Sequence, residues 1–317
     1  MIKKEPIRFA PYLKSVIWGG EKICRYKRIE QAEEKIGESW EISEVEGHES
    51  VVSEGPYKGM LITELIENFG SELVGKDVMD RYDGRFPLLV KLIDANDNLS
   101  VQVHPDDELA MARHGSLGKS EMWYIIEAEQ GAKIYSGLNR TLTPEEYVGK
   151  VKEDSIEDLL AVHDSSPGDV FFLPAGRVHS IGAGNLLAEI QESSDITYRI
   201  YDYGRRDAHG NTRELHTELA KDAIDYSYYD DYKSAPVDDT QAYVEIANCD
   251  HFTVNRILLD GEMELHFSDS SFTVVMCLDG EVSVGGMMVK RGETVLLPAV
   301  MTEVKLSGKG ILLTARS

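Results

Sequence analysis

The stretch 168–175 reads GDVFFLPA and the stretch 292–299 reads GETVLLPA, so the two match in residue type at nearly every position. Each predicts a tight turn at the glycine, a short apolar strand and a corner at the proline. Two copies more than a hundred residues apart indicate that one β-barrel unit occurs twice in the chain. A chance similarity between two short strings is the alternative that the sequence leaves open.

The residues around both copies predict a mainly β protein of two domains. Residues 242–317 have β-type patterning with glycine-rich hairpins, and the acidic, tyrosine-rich stretch 222–240 is interpreted as a linker or surface loop. We therefore expect an N-terminal domain over 1–240 and a C-terminal β domain over 241–317. Helical insertions of the first domain are predicted within about 106–165, from 106–115 and 143–163, and one or two further helices within 60–80.

Composition excludes several classes of partner. Among 317 residues, 33 Lys and Arg stand against 56 Asp and Glu, which leaves a formal net charge of −23. A surface this acidic repels phosphate backbones and anionic lipids, so we expect neither nucleic acid nor membranes as partners. A negatively charged small substrate would need a local basic pocket. We also expect a cytoplasmic protein, because no membrane-spanning run or secretory signal is recognisable and the cysteines are few: Cys24, Cys249 and Cys277.

The segment 100–104, SVQVH, predicts a strand with one polar face. Successive side chains of a strand alternate between faces, so Ser100, Gln102 and His104 share one side and two valines share the other. The polar side belongs either to the interior of a barrel or to an exposed edge strand that carries a surface histidine.

Two further segments have polar residues where strands begin. In 119–126, KSEMWYII, the side chains of Lys119 and Glu121 share a face of an otherwise apolar strand, and His179 follows a Pro-Ala-Gly corner. Taken alone, each has an ordinary alternative, namely an exposed Lys–Glu pair and a surface histidine.

Together, His104, Glu121 and His179 supply two imidazoles and one carboxylate from different strands of one β unit. This set suits a borderline divalent metal, and Gln102 adds an oxygen donor beside His104. No thiolate is included, so the set predicts an open catalytic metal site rather than a closed structural one.

The segment 187–201 is predicted as one long strand with a polar and an apolar face. The apolar face includes Ile190 and Tyr198. Six polar side chains on one face require either a ligand in a barrel interior or solvent beside an edge strand. These polar residues are Glu189, Gln191, Ser193, Asp195, Thr197 and Arg199.

At this point several motifs resemble one known family. The chain is similar to the type I phosphomannose isomerases (mannose-6-phosphate isomerases) in their short bacterial form. The similarity runs along nearly the whole chain, and its motifs occur in order. They are WGG (18–20), ESWE (38–41), VQVHPDDEL (101–109), GKSEMWYII (118–126), LPAGRVHSI (173–181) and EIQESSDITYRIYDYGR (189–205).

The resemblance implies a fold and a set of site residues. The fold is two cupin-type (jelly-roll) β-barrels with added helices, which agrees with the internal repeat. The cofactor is one Zn²⁺ per chain. By the resemblance, the metal ligands are Gln102, His104, Glu121 and His179, the catalytic residues are Arg199, Glu189 and Lys119, and the substrate-binding residues are Lys91, Ser100 and Trp18.

The activity that the resemblance implies is the interconversion of mannose 6-phosphate and fructose 6-phosphate. The sugar ring opens, and a proton moves between C1 and C2 through a cis-enediolate. Arginine stays charged at working pH, so Arg199 suits charge stabilisation. Glu189 is the first candidate for the proton carrier and Lys119 the second. The phosphate needs a basic pocket, which Lys91 could form with Lys119 and Arg199.

The second copy departs from the metal pattern, because Glu303 stands four residues past its Pro-Ala, where the first copy has His179. We therefore expect a C-terminal barrel without metal. Two other functions remain open from the residues. Two histidines and a carboxylate also form the iron site of non-haem oxygenases, and a non-catalytic sugar-phosphate sensor could retain the same pocket.

Overall fold

The computed structural model describes residues 1–30, 35–206 and 209–317. The described chain is mainly β and contains three sheets with a few short helices, which confirms the predicted fold class. Two sheets face each other and form the first barrel. Within the described residues, no helix has both the length and the apolar character needed to cross a membrane.

The first barrel consists of a six-stranded and a five-stranded antiparallel sheet. The six-stranded sheet has the order β10-β7-β12-β5-β3-β2 and the five-stranded sheet has the order β13-β6-β11-β8-β9. Their strands are β2 (Tyr12–Gly20), β3 (Ile36–Ile42), β5 (Leu88–Ala95), β6 (Val101–Val103), β7 (Glu121–Ala128), β8 (Lys133–Leu138), β9 (Leu160–Asp164), β10 (Val170–Leu173), β11 (His179–Ile181), β12 (Asn185–Glu192) and β13 (Tyr198–Tyr201).

The second sheet system contains the C-terminal strands and two N-terminal ones. Its order is β14-β15-β19-β16-β18-β1-β4, and β17 pairs with β16. The interior of this unit is filled with apolar side chains such as Val275, Val282 and Leu312. Its strands are β1 (Ile7–Ala10), β4 (Val51–Val52), β14 (Tyr243–Asn248), β15 (Thr253–His266), β16 (Thr273–Val284), β17 (Met287–Lys290), β18 (Thr294–Leu297) and β19 (Glu303–Arg316).

The internal repeat is a structural repeat, which excludes chance similarity. Gly168 and Gly292 both have a positive φ, 90° and 81°, at the turn before β10 and before β18. The amide of Gly168 donates to Ile125 O at 2.9 Å, and the amide of Gly292 donates to Cys277 O at 2.8 Å. Each strand is followed by a proline whose carbonyl oxygen accepts a hydrogen bond from the backbone amide three residues later. Two segments with the same hydrogen bonds therefore begin and end equivalent strands.

The six-stranded sheet is covered on both faces, which explains why β5 and β12 are buried along their whole length. Alternate residues of β5 enter different clusters. Leu88 and Val90 pack in the cluster that contains Phe272 of the C-terminal unit, whereas Ile93 packs inside the first barrel beside Trp123. One side of this sheet is thus the interface with the second unit, and the other faces the interior of the first barrel.

The helices differ from the predictions in two places. The segment 60–80 forms three short helices instead of one or two. The predicted helix at 106–115 is present, and at its start the Asp106 side chain accepts a hydrogen bond from Leu109 N at 2.8 Å. The prediction of a helix over 143–163 is wrong beyond its first part, because the chain forms a 3₁₀ turn at Ile156–Leu159 and then β9. The helices are α1 (Lys22–Lys27), α2 (Ile62–Phe69), α3 (Ser71–Val74), α4 (Lys76–Tyr82), α5 (Asp107–His114), α6 (Pro144–Lys152) and α7 (Thr217–Ala223).

The predicted long strand over 187–201 is two strands. β12 ends at Glu192 and β13 begins at Tyr198, so the regular alternation is interrupted between them. The edge-strand alternative is wrong for β12, which lies between β5 and β7, whereas β13, which carries Arg199, is the edge strand of the five-stranded sheet. The three cysteines are free thiols, of which Cys24 and Cys277 are buried and Cys249 is half-buried.

A large aromatic contact holds the two units together and generates a stability prediction. Phe86 and Phe272 are both buried, and their ring centroids are 4.5 Å apart. Phe272→Ala should lower the free energy of unfolding by about 3–5 kcal/mol, because it leaves a cavity between the units. Urea unfolding followed by fluorescence measures the change. Met288→Ala, at an exposed position of the same unit, should change stability by less than about 0.5 kcal/mol. Equal stability of the two variants would contradict this account of the interface.

Candidate active site

Three predicted metal ligands converge inside the first barrel. Glu121 is the first residue of β7 in one sheet, and His179 is the first residue of β11 in the facing sheet. His104 directly follows β6, which neighbours β11. All three side chains are buried, so the alternatives of a surface histidine and an exposed Lys–Glu pair are wrong.

The distances between their ligand atoms suit a metal ion. His179 Nε2 lies 3.2 Å from Glu121 Oε1, and His104 Nε2 lies 3.6 Å from Glu121 Oε2. One ligand atom from each residue can be chosen so that all three lie within 4.8 Å of one another. Ligand atoms about 2.0–2.2 Å from a tetrahedral metal are about 3.3–3.6 Å apart. The group therefore has the donor types and the spacing of a divalent metal site.

Hydrogen bonds orient these ligands toward one another. His104 Nδ1 contacts the carbonyl oxygen of Ile196 at 2.8 Å, and His179 Nδ1 contacts that of Arg177 at 2.8 Å. A carbonyl accepts only from a protonated Nδ1, which leaves the Nε2 lone pair of each ring free for a metal. Glu121 Oε1 is buried and has no hydrogen-bond partner among the described residues. An orphaned carboxylate oxygen beside two imidazole lone pairs fits a cation.

Burial keeps the histidines neutral. It lowers the pKa of His179 to about 3 and the pKa of His104 well below its usual value, and the Lys119 ammonium adds to both shifts. Burial also raises the pKa of Glu121, although Lys119 opposes this shift. Neutral imidazole is the form that binds a metal, so both rings are in the state that a ligand requires.

Lys119 places a positive charge among the candidate ligands. Its ammonium donates to Glu121 Oε2 and lies 3.1 Å from His104 Nε2. The same ammonium is 4.0 Å from Glu189 Oε1. The ligand atoms thus already surround a cation, which supports the fit between this group and a metal ion.

Gln102 is beside the same cluster. Its Nε2 lies 3.2 Å from His179 Nε2. Turning the amide by 180° exchanges its oxygen and nitrogen and would direct the oxygen toward the cluster. The residue is on β6, and its side chain faces the barrel interior as the alternation predicted.

A cavity of about 370 Å³ lies beside the cluster, and Gln102 and Lys119 contact the cluster and line the cavity. All the proposed catalytic and substrate-binding residues line it, as does Gln102. They are Trp18, Lys91, Ser100, Lys119, Glu189 and Arg199.

Lys91 and Glu189 form a buried ion pair in the cavity wall. The Lys91 ammonium donates to Glu189 Oε1 at 3.0 Å and to Gln191 Oε1 at 2.7 Å. The indole of Trp123 donates to Glu189 Oε2 at 3.0 Å. Burial alone would raise the pKa of Glu189, but the ammonium groups of Lys91 and Lys119 lower it to about 2. Glu189 is therefore ionised at neutral pH.

Two guanidinium groups, those of Arg199 and Arg213, line another part of the cavity. Arg199 donates from one terminal nitrogen to Glu214 O at 2.9 Å, and its Nε is buried without a hydrogen-bond partner among the described residues. Arg213, which sequence reasoning missed, also lines the cavity and donates from Nε to Asp202 Oδ2 at 2.8 Å. Neighbouring like charges with unused donors favour an anion between them.

The sequence interpretation also missed two further residues that line the cavity. Glu38 and Trp40 belong to the ESWE motif, yet no role was assigned to them. Trp40 donates from its indole nitrogen to Glu38 Oε2 at 2.7 Å, and the ammonium groups of Lys14 and Lys91 lie 4.8 and 5.3 Å from its ring centroid. The alternation of β3 was the available signal, because it places both residues on the face that lines the barrel.

Comparison with protein families gives two matches. Residues 7–153 match the model described as "Phosphomannose isomerase type I, catalytic domain". Residues 242–316 match the model described as "Mannose-6-phosphate isomerase, cupin domain".

Individual relatives agree along the whole chain. The mannose-6-phosphate isomerase ManA of Bacillus subtilis (strain 168) is 36% identical over 312 residues, which cover 96% of each chain. The mannose-6-phosphate isomerase of Streptococcus mutans is 32% identical over 315 residues and 96% of each chain. A crystal structure of the mannose 6-phosphate isomerase from Bacillus subtilis has a TM-score of 0.87 and 33% identity, and the match covers 98% of this chain and 99% of that one.

The converging ligands generate a metal-binding prediction. Glu121→Gln should weaken divalent metal binding more than about 10-fold, because even the outer hydrogen-bond partners of ligands are worth about 10–100-fold. Metal content after dialysis at a fixed free zinc concentration measures the effect. Glu127→Gln is the matched control, since Glu127 is on the same strand but forms a surface ion pair with Arg25. Equal metal content in the two variants would exclude Glu121 as a ligand.

Proposed function

Because this chain belongs to the type I phosphomannose isomerases, and is thereby an isomerase of mannose 6-phosphate, we propose that it is a zinc-dependent enzyme. It interconverts mannose 6-phosphate and fructose 6-phosphate by proton transfer through a cis-enediolate. The observation that supports this proposal most directly is the convergence of His104, Glu121 and His179. Gln102 and Lys119, which contact this cluster, line the same cavity as Arg199.

We propose one catalytic Zn²⁺ per chain, held by Gln102, His104, Glu121 and His179. The donor set is two imidazoles, a carboxylate and an amide oxygen, which zinc accepts readily. When bound, zinc acts as a Lewis acid that stabilises negative charge on the enediolate oxygens. The remaining chemistry depends on the side chains around the cavity.

From the sequence, Glu189 is the first candidate for the proton carrier and Lys119 is the second. The contacts of Glu189 in the structure argue against Glu189 in this role. Both of its oxygens accept hydrogen bonds, from Lys91 and Trp123, and its low pKa makes it a weak base. Lys119 projects among the candidate ligands and lines the cavity where a substrate would lie. These contacts favour Lys119 as the proton carrier, with Glu189 orienting the two lysines.

Arg199 is proposed to stabilise charge on the reacting sugar. A guanidinium does not lose its proton at working pH, so the role of Arg199 is electrostatic. Arg213 is proposed to share the phosphate with Arg199, while Lys91, Ser100 and Trp18 contact the sugar phosphate from the opposite wall. These cations supply the local basic pocket that an anionic substrate requires in a chain with a net charge of −23.

The remaining assignments are also proposals. We propose that the catalytic domain comprises 1–240, that 241–317 is a cupin-like domain whose barrel interior binds no metal, and that the enzyme acts in the cytoplasm. The apolar interior of the C-terminal unit and its exposed Glu303 support the second of these. The sugar phosphate is the proposed partner, without nucleic acid or membrane.

Removal of the Arg199 guanidinium tests its electrostatic role. Arg199→Ala should lower kcat by about 10²–10³-fold, the usual effect of losing one donor to a developing oxyanion, and should leave zinc content unchanged. A coupled assay of fructose 6-phosphate formation measures the rate. Arg140→Ala, which removes an exposed arginine outside the cavity, should have wild-type activity. Normal turnover by Arg199→Ala would remove this residue from the mechanism.

Metal removal tests the zinc assignment. Prolonged chelation should abolish isomerisation, and added Zn²⁺ should restore it, because no other group in the cavity replaces a Lewis acid at the enediolate. Activity and metal content are measured on the same sample before and after treatment. Full activity of metal-free protein would refute zinc dependence.

A further inference from the structure

A second group of metal-binding side chains lies outside the barrel, where the two units meet. Asp107 is the first residue of α5, Glu192 is the last residue of β12, and His251 is in the turn between β14 and β15. One ligand atom of each can be chosen so that all three lie within 4.8 Å of one another. His251 Nδ1 lies 3.0 Å from Glu192 Oε2 and 3.9 Å from Asp107 Oδ2.

Backbone amides hold both carboxylates in place. The amide of Gly118 donates to Asp107 Oδ1 at 2.7 Å, and the amide of Ser120 donates to Glu192 Oε1 at 2.6 Å. The second oxygen of each carboxylate is the one directed at His251. Ligating carboxylates in metal sites are oriented in the same way, with one oxygen bound by the protein and the other by the ion.

Glu192 supplies an independent sign of a ligand. Its side chain is 2% exposed, and Oε2 accepts no hydrogen bond of regular geometry from the described residues, although His251 Nδ1 is 3.0 Å away and the Asp107 carboxyl group lies beside it. Buried carboxylate oxygens are rarely left in this state, since the lost hydration costs free energy. The other buried carboxylate oxygen that lies unpaired beside an imidazole nitrogen is Oε1 of Glu121, in the candidate zinc site.

The charges of the group also favour a cation. The carboxyl groups of Asp107 and Glu192 lie close together beside the imidazole of His251, and Glu192 is buried. Two neighbouring carboxylates repel each other, and a divalent ion between them relieves that repulsion. Asp107 and His251 are partly exposed, so an ion can enter from solvent.

We propose that Asp107, Glu192 and His251 bind a second divalent cation, of the zinc or manganese class, at the interface of the two units. One imidazole nitrogen and two carboxylate oxygens are ligands for borderline ions, and water can complete the coordination. The site is separate from the cavity, because β12 directs Glu189 into the barrel and Glu192 away from it.

The proposed ion would join the C-terminal unit to the strand that carries the candidate zinc ligand. Glu192 binds the backbone of Ser120, which stands between Lys119 and Glu121. His251 belongs to the other unit. An ion that bridges them would stabilise the interface, so we infer a structural cross-link rather than a second reaction centre.

Zinc binding to metal-free protein, followed by calorimetry and by metal analysis at a fixed free zinc concentration, tests the proposal. Wild-type protein should bind two zinc ions per chain. His251→Ala and Asp107→Asn should each bind one, as should Glu121→Gln, and the double variant His251→Ala/Glu121→Gln should bind none. Asp107→Asn keeps an acceptor for the Gly118 amide, so loss of zinc there cannot be ascribed to loss of that hydrogen bond.

His266→Ala is the control, because His266 is exposed in the same unit and should leave two ions bound. Zinc should also raise the Tm of Glu121→Gln but not that of the double variant. If wild-type protein binds one zinc ion per chain and only Glu121→Gln abolishes that binding, the second site is overturned and the active-site zinc is supported. If wild-type protein binds one ion per chain and only His251→Ala abolishes it, the second site is supported and the active-site zinc is overturned. Two ions in His251→Ala and Asp107→Asn would also overturn the proposal.

Discussion

The alternation of ammonium and carboxylate groups inside the first barrel is the interaction on which the site depends. Lys91, Glu189, Lys119 and Glu121 are all buried, and each cation contacts at least one anion. A single buried charge would cost several kcal/mol and would be neutralised, whereas paired charges with further hydrogen bonds can remain ionised. This pairing allows a barrel interior to hold a polar reaction site with several buried charges.

The two halves of the protein show how one backbone arrangement supports two different interiors. β10 and β18 each follow a glycine with positive φ whose amide donates an equivalent hydrogen bond, and each strand is followed by a proline. In the first barrel, Leu173 pairs with Glu121, and in the second unit Leu297 pairs with Thr273. The second unit thus lacks the carboxylate as well as the histidine, and apolar side chains fill its interior. The repeat specifies strands and turns, while the side chains that alternate along them decide the chemistry.

Most of the fold and much of the candidate site could be predicted because both depend on local alternation. In β6, the valines pack outward against helices while Gln102 faces the cavity, and the same period places Lys119 and Glu121 together. The errors arose where tertiary contacts override a local pattern. Apolar residues occur at helical spacing in 143–163. The last part of this segment nevertheless forms strand β9, because it pairs with β8. Arg213 could not be found, since a loop with no period gives no indication of which cavity its side chains line.

The sequence by itself determined the two β units, the turns that begin and end their repeated strands, and the types of side chain available to a metal and an anion. Alternation and turn residues act over a few positions, and they are visible in a single chain. Only the tertiary structure decided that His104, Glu121 and His179 meet, that Arg213 joins Arg199, and that His251 of one unit reaches Glu192 of the other. These contacts join residues that are 14 to 75 positions apart or belong to different units. Sheets face each other through side chains whose partners no local pattern specifies.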